Sequence, residues 1–254
     1  MRKTRKILIL VIVLIFIFWY FLFLNYSTPI LVYHSFDESK IKDYPVVSPR
    51  VFSEQMRFIK KGGYKVISLK EYCRHLKEKN AQLRNTVIIT FDDGLEDNMV
   101  AVEILKDFDF AATIFLIVDN IGKSGYLTKE NIEWFLKNTK VNIGSHTLRH
   151  RYLPELDKDD LKKEIIDSKI TLEKLFGVTV DTISYPVGGF NHKVLKIVED
   201  AGYLCACTTN RGFDKKINRF QLRRIKITNK DLGFKLWIKL SGFYNFFKRV
   251  KKPF

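Results

Sequence analysis

Beyond Pro29, short apolar blocks alternate with amphipathic stretches in a strand-then-helix rhythm along the rest of the chain. Ile30-Leu31-Val32-Tyr33 reads as a buried strand that ends at His34. Ser48-Pro49 opens a helix with Phe52, Met56 and Ile59 on one face, and Gly62-Gly63 closes it. Tyr64 to Ile67 is a short strand, and Ser68 starts a helix through Tyr72 and Leu76. Thr86 to Phe91 is apolar throughout, as in a parallel strand buried on both faces. Then follow helix 95–107, strand 111–117, helix 129–138, strand 141–144, helix 158–176, strand 181–185, helix 191–201 and strand 203–208. This alternation predicts an α/β domain around a parallel sheet, as a barrel or an open sheet.

One block is different. Ile7 to Leu24 is apolar without interruption and follows Arg2, Lys3, Arg5 and Lys6. At 1.5 Å per residue it spans about 27 Å, the thickness of a bilayer core. It is longer than a signal-peptide core, and Asn25 to Pro29 offers no small-x-small cleavage site. Residues 1–28 are therefore expected to be a cytoplasmic basic stub and a single-pass transmembrane anchor at the cell membrane, with the bulk of the chain extracytoplasmic. A long, cleaved signal peptide is the alternative.

The remainder has no linker, repeat or low-complexity stretch and is the size of one large domain. The formal net charge of +16 implies anionic neighbours, with membrane headgroups or a wall polymer better suited than nucleic acid. Residues 233–254 alternate aromatics with lysines, as a tail lying on a bilayer would, or as a packing helix with a basic face. The three cysteines, Cys73, Cys205 and Cys207, are too few for a disulfide framework and read as buried free thiols.

In parallel α/β folds, functional groups gather at the C-terminal strand ends. His34, Asp92-Asp93, Ser145-His146 and Tyr185-Pro186 all occupy such ends. Adjacent carboxylates diverge, so one can bind a metal while its neighbour takes a proton. His146 and His150 would face the same way if a helical turn followed the strand. One carboxylate and two imidazoles suit zinc or another first-row divalent ion with positions left open. Each piece alone has a structural explanation: Asp-Asp-Gly is a common turn, and His-x-x-x-His occurs by chance. Their joint placement in a chain with only five histidines carries the argument. His75 and His192 have no such setting.

Thr90-Phe91-Asp92-Asp93-Gly94, Ser145-His146-Thr147-Leu148-Arg149-His150 and Ser184-Tyr185-Pro186-Val187-Gly188-Gly189 resemble three motifs of the polysaccharide deacetylases, the NodB-homology or carbohydrate esterase family 4 enzymes. The resemblance implies a distorted (β/α) barrel over residues 29–232 and metal-dependent deacetylation of N- or O-acetylated sugars. By position it implies Asp93, His146 and His150 as metal ligands, with Zn²⁺ favoured over Co²⁺ or Ni²⁺, and Asp92 as general base. Two departures stand out. Ser184 lies where many members carry arginine, and no histidine follows His192 to act as the late acid. Leu31-Val32-Tyr33-His34-Ser35-Phe36 resembles the branch that deacetylates poly-β-1,6-N-acetylglucosamine, where the early histidine is the acid, which would give His34 that role. Residues 51–69 and Leu222-Arg223-Arg224-Ile225 resemble the same branch.

The expectation is an N-deacetylase of a cell-surface N-acetylglucosamine polysaccharide. A backbone N–H near Val187 would hold the oxyanion. Tyr185 and Pro186 would shape the groove, and Trp134 or Phe190 could stack on sugar rings. Peptidoglycan deacetylation, O-acetyl esterase activity and a non-catalytic binder of anionic polymer are the alternatives.

Overall fold

The structure, a computed structural model, describes residues 2–24, 26–40, 45–79, 81–210 and 217–244. Its elements in chain order are α1 (Arg2–Leu24), β1 (Ile30–Tyr33), α2 (Pro49–Lys61), β2 (Lys65–Ile67), α3 (Leu69–Lys79), β3 (Thr86–Phe91), α4 (Asn98–Phe108), β4 (Ala112–Leu116), α5 (Lys129–Asn138), β5 (Val141–Ser145), α6 (Lys158–Lys162), α7 (Ser168–Phe176), β6 (Thr182–Ser184), α8 (His192–Asp200), β7 (Cys205–Thr208), β8 (Leu222–Arg223), β9 (Ile225–Lys226) and α9 (Gly233–Leu240). A π-helical turn, Lys163–Asp167, joins α6 to α7.

Local chemistry sets the helix starts. Ser48 Oγ accepts from the Val51 N–H with Pro49 in the first turn of α2, and Thr128 with Asn131 forms a capping box on α5. Each supplies a partner to an N-terminal N–H that the helix leaves bare.

All the strand pairings are parallel, in the order β8-β7-β6-β5-β4-β3-β1-β9, with β2 also on β3. β8 pairs with β7 while β9, one residue further on, pairs with β1. A single short segment thus bridges the two edges and nearly closes a barrel, interrupted at Arg224.

Alternation along the strands sorts side chains into two cores. Leu31, Tyr33, Val87, Ile89, Phe91, Ile143 and Ile183 face the helices in the large outer cluster. Ile30, Ile88, Phe115, Cys205, Cys207 and Leu222 fill the inner cluster. Cys73 on α3 is disulfide-bonded to Cys205 on β7, with Cα atoms 5.9 Å apart, and Cys207 is a buried free thiol. The expectation of three free thiols fails because the bonding partners lie 132 residues apart and only the fold brings them together.

The anchor reading is also corrected. Among the described residues no helix is long and apolar enough to cross a membrane. α1 is helical and its described apolar side chains are exposed. The single-pass placement at the cell membrane, and membrane association as a partner, are not supported. In α9, Leu236 and Leu240 pack into the core while Phe234 and Trp237 stay exposed. The last ten residues of the basic tail lie outside the described residues.

Candidate active site

The alternation that builds the inner core also builds the site. On β3, Thr86, Ile88 and Thr90 share a face, and the next position on it is Asp92. On β5, Asn142 and Gly144 precede His146, and on β6 Thr182 precedes Ser184. On β1, Ile30 and Val32 precede His34. The register Tyr33↔Phe91, continued by the Asp92 N–H bonding to the Tyr33 carbonyl at 3.0 Å, sets His34 beside Asp92. The inner face therefore changes from apolar below to polar at the C-terminal rim.

Arg224, missed by the sequence reading as a functional residue, is the largest group in that polar layer. It is 1% exposed and donates Nη1 to Asp92 Oδ1 and Nη2 to Asp92 Oδ2, both at 2.6 Å. Nη2 also donates to Ser184 Oγ at 2.8 Å, and the guanidinium lies 5.5 Å from the Phe115 ring centroid. The arginine missing from position 184 is thus replaced by one from the closing strand, with Ser184 serving as its acceptor. Burial pushes the Asp92 carboxyl upward, but the charge and hydrogen bonds of Arg224, aided by His146, hold it well below the usual carboxylate range.

Asp93 leaves the strand with φ 74° and turns its carboxylate toward the histidines. Its Oδ1 lies 3.4 Å from His146 Nε2 and 3.6 Å from His150 Nε2. A tetrahedral ion with ligand bonds of about 2.0–2.1 Å has ligand-to-ligand edges of about 3.3–3.4 Å, so the donor set fits zinc-like coordination. Asp93, His146 and His150 are also the group of described residues able to hold a metal, with ligand atoms within 4.8 Å of one another. His146 Nδ1 lies 2.8 Å from the Ser184 carbonyl, which takes its N–H and leaves the Nε2 lone pair for a ligand. Burial lowers the His146 pKa, and the Asp92 charge and the Asp93 contact more than reverse this. Burial and then the His146 charge lower that of His150.

The helical turn expected after His146 is absent. Residues 146–150 form a bend in which Thr147 and His150 have φ of 68° and 61°. Thr147 Oγ1 accepts from the His150 N–H at 3.0 Å, and the two rings meet edge to face with centroids 4.7 Å apart.

His34 reaches the site, and its Nδ1 is buried without a partner among the described residues. Burial draws its pKa below the usual imidazole value, against the pull of Asp92 and Asp93. Val187 is 70% exposed on a left-handed turn, φ 56°. Tyr185 and Pro186 do not line a groove: both are buried, and the Tyr185 hydroxyl donates to the Phe220 carbonyl at 3.0 Å. Phe190 is buried against Tyr185, and Trp134 lies on α5 under Lys106, so neither offers a sugar platform. His75 sits on α3 and His192 is exposed at the start of α8.

Comparison with known proteins identifies the family. The polysaccharide deacetylase family profile matches residues 79–206. The "Putative polysaccharide deacetylase YxkH" of Bacillus subtilis (strain 168) is 32% identical over 202 residues, covering 79% of this chain and 71% of its own. The poly-β-1,6-N-acetyl-D-glucosamine N-deacetylase of Staphylococcus aureus (strain MRSA252) is 27% identical over 186 residues, or 67% of this chain and 63% of that protein, less than two thirds of its length. The Streptococcus pyogenes deacetylase PplD, solved with acetate, superposes with a TM-score of 0.78 at 28% identity over 84% of this chain and 98% of that one. The chain belongs to the polysaccharide deacetylase family, NodB-homology type, a family of hydrolases.

Proposed function

We propose that this chain is a metal-dependent N-deacetylase of an N-acetylglucosamine polysaccharide, with residues 29–232 as its catalytic domain and poly-β-1,6-N-acetylglucosamine as the favoured substrate. One observation carries the reading: a buried, ionised Asp92 gripped by Arg224 stands beside a carboxylate and two imidazoles at ligand separations. The linkage preference is supported by the name of the S. aureus relative and by His34 at the end of β1.

In this reading Asp93, His146 and His150 hold a divalent ion, zinc favoured and cobalt or nickel possible substitutes. When bound, the ion supplies Lewis acidity to water and to the acyl oxygen. Asp92 accepts the proton of the attacking water, ionised and oriented by Arg224. The Val187 N–H, on a turn that buried Tyr185 and Pro186 hold in place, donates to the oxygen that gains charge. His34 gives a proton to the sugar nitrogen, because an amide anion is too poor a leaving group. Water adds across the C–N bond, giving acetate and the free amine.

The test is acetate release from β-1,6- and β-1,4-linked N-acetylglucosamine oligomers, with metal removed and then restored as Zn²⁺, Co²⁺ or Ni²⁺. Release that needs metal and favours the β-1,6 oligomer is expected. No release with any metal refutes the activity, and a β-1,4 preference refutes the substrate. Asp92→Asn should abolish turnover and keep metal; loss of metal would exchange the roles of Asp92 and Asp93. His34→Ala with unchanged turnover removes it as the acid.

A further inference from the structure

The two histidines are held very differently. His146 is buried, and the Ser184 carbonyl takes its second ring nitrogen. His150 is half-buried and has no such ring partner among the described residues. Its position therefore depends on the backbone of the 146–150 bend. That bend contains two non-glycine residues in the left-handed region, a conformation that persists only where neighbouring groups hold it.

The π-helical turn Lys163–Asp167 supplies such fixing groups. π-turns inside helices re-aim side chains and concentrate at functional sites. Glu164 lies on this turn, 1% exposed, and its Oε2 accepts the Arg149 N–H at 2.9 Å. Ser168, at the next helical turn, bonds to Ser145 Oγ at 2.8 Å and donates to the Ile165 carbonyl at 3.0 Å. Ser145 Oγ in turn accepts the Thr147 N–H at 3.1 Å, and the Tyr203 hydroxyl donates to the same Ile165 carbonyl at 3.1 Å. The outer side of the bend is tied at two further points, with Val118 N–H on the Thr147 carbonyl and Asp119 N–H on the Leu148 carbonyl. Of these ties, Glu164 grips the residue immediately before His150, and it is a buried acid that the proposed chemistry leaves unused.

We propose that Glu164 is a positioning residue for metal binding, acting through the Arg149 N–H to hold His150 in its left-handed, ligand-competent conformation. This rests on the reading of Asp93, His146 and His150 as metal ligands. Without the carboxylate, the Arg149 N–H loses its acceptor and the bend relaxes toward ordinary backbone angles, carrying the His150 imidazole away from Asp93.

The full chain is stripped of metal, and Zn²⁺ affinity is measured by competition with a chromophoric chelator for wild type, Glu164→Gln and Glu164→Met. The visible absorption of bound Co²⁺ reports coordination geometry independently of substrate. Gln keeps an oxygen acceptor, so affinity within about 3-fold of wild type and an unchanged Co²⁺ spectrum are expected. Met fills the volume without accepting, so affinity about 10- to 100-fold weaker, the usual loss for an outer-layer partner of a ligand, and a weakened or shifted spectrum are expected. Wild-type affinity in Met overturns the proposal, as does equal metal loss in Gln and Met. If Met does not fold, Glu164→Ala is measured instead; failure of both to fold while Gln folds makes Glu164 a folding determinant and also overturns it. A wild-type protein that binds no metal overturns the site reading together with this proposal, whereas metal-competent wild type and Met overturn this proposal alone.

Discussion

Replacing Arg224 with Met strips the buried Asp92 carboxylate of its two short charged bonds and leaves only Ser184 Oγ at 3.4 Å and His146 Nε2 at 4.0 Å beside it. Both partners are fully enclosed, at 1% and 2% exposure, and joined by two bonds of 2.6 Å, so water cannot substitute for the lost guanidinium. Breaking one side of such a pair costs about 3–5 kcal/mol, a large part of a typical ~5–15 kcal/mol total. For a chain of this size that lowers Tm by about 6–20 °C. The cost depends on pH with a defined sign. With Arg224 present, the folded Asp92 pKa lies below its unfolded value, so its stabilisation is full above about pH 4 and is lost as pH falls through the folded value. Without Arg224 burial dominates and raises the folded pKa, so the variant loses stability as pH rises from about 4 toward neutrality. Urea unfolding of the metal-free protein from pH 3.5 to 7.5 should show the gap between wild type and R224M widening with pH. The double variant Asp92→Asn/Arg224→Met should recover most of the loss, because no charge remains unpaired. A penalty below about 1 kcal/mol at pH 7, a gap independent of pH, or a double variant no better than the single would refute the reasoning.

Gly144→Ala should destabilise by about 1–3 kcal/mol in urea titrations, since its Cβ would lie 2.6 Å from two Phe115 ring carbons and 2.7 Å from Thr182 Oγ1. Cys73→Ser should cost about 2–5 kcal/mol, because the disulfide joins residues 132 apart, and dithiothreitol should lower the wild-type stability by a similar amount without affecting the variant. Burial pushes the Cys207 thiol up to about 12, so native protein should resist iodoacetamide at pH 8 and react once unfolded. Because that folded pKa is raised, the thiol's contribution to stability is full below about pH 9 and declines as pH climbs toward 12, visible as a falling urea midpoint over that range.

The readable parts of this chain were those whose physics is local. Ser48-Pro49 marks the start of α2, and the apolar run 86–91 is β3 residue for residue. Those same runs fixed which side chains face inward: once Ile88 and Thr90 share a face, Asp92 must follow them. The unreadable parts were contacts between distant segments and departures from regular backbone. Arg224 pairs with Asp92 across 132 residues, from a segment split between two partner strands, so neither periodicity nor length marked it as a strand. The π-turn lies inside a stretch correctly read as helix over 158–176, and its effect is a rotation of Glu164 that a 3.6-residue repeat does not encode. Left-handed angles at Asp93, Thr147 and His150 are unfavourable for each residue alone, so propensity argues against the geometry that brings the ligands together.

Arg224 also changes what the base can be. A carboxylate held below its ordinary range is a weaker proton acceptor than a free one. What the grip secures instead is ionisation at every working pH and one fixed orientation, with both oxygens bonded on one side and the site on the other. Under the proposed reading, the acidity would then come from the Lewis acidity of the divalent ion that Asp93, His146 and His150 would hold. The two halves are therefore interdependent: a strongly held base is useful only beside a site that acidifies water, and the Ser184 backbone and side chain link them, its carbonyl on His146 and its hydroxyl on Arg224. A serine at position 184, which read as a lost arginine, is the residue through which the closing strand and the ligand shell are held in one geometry.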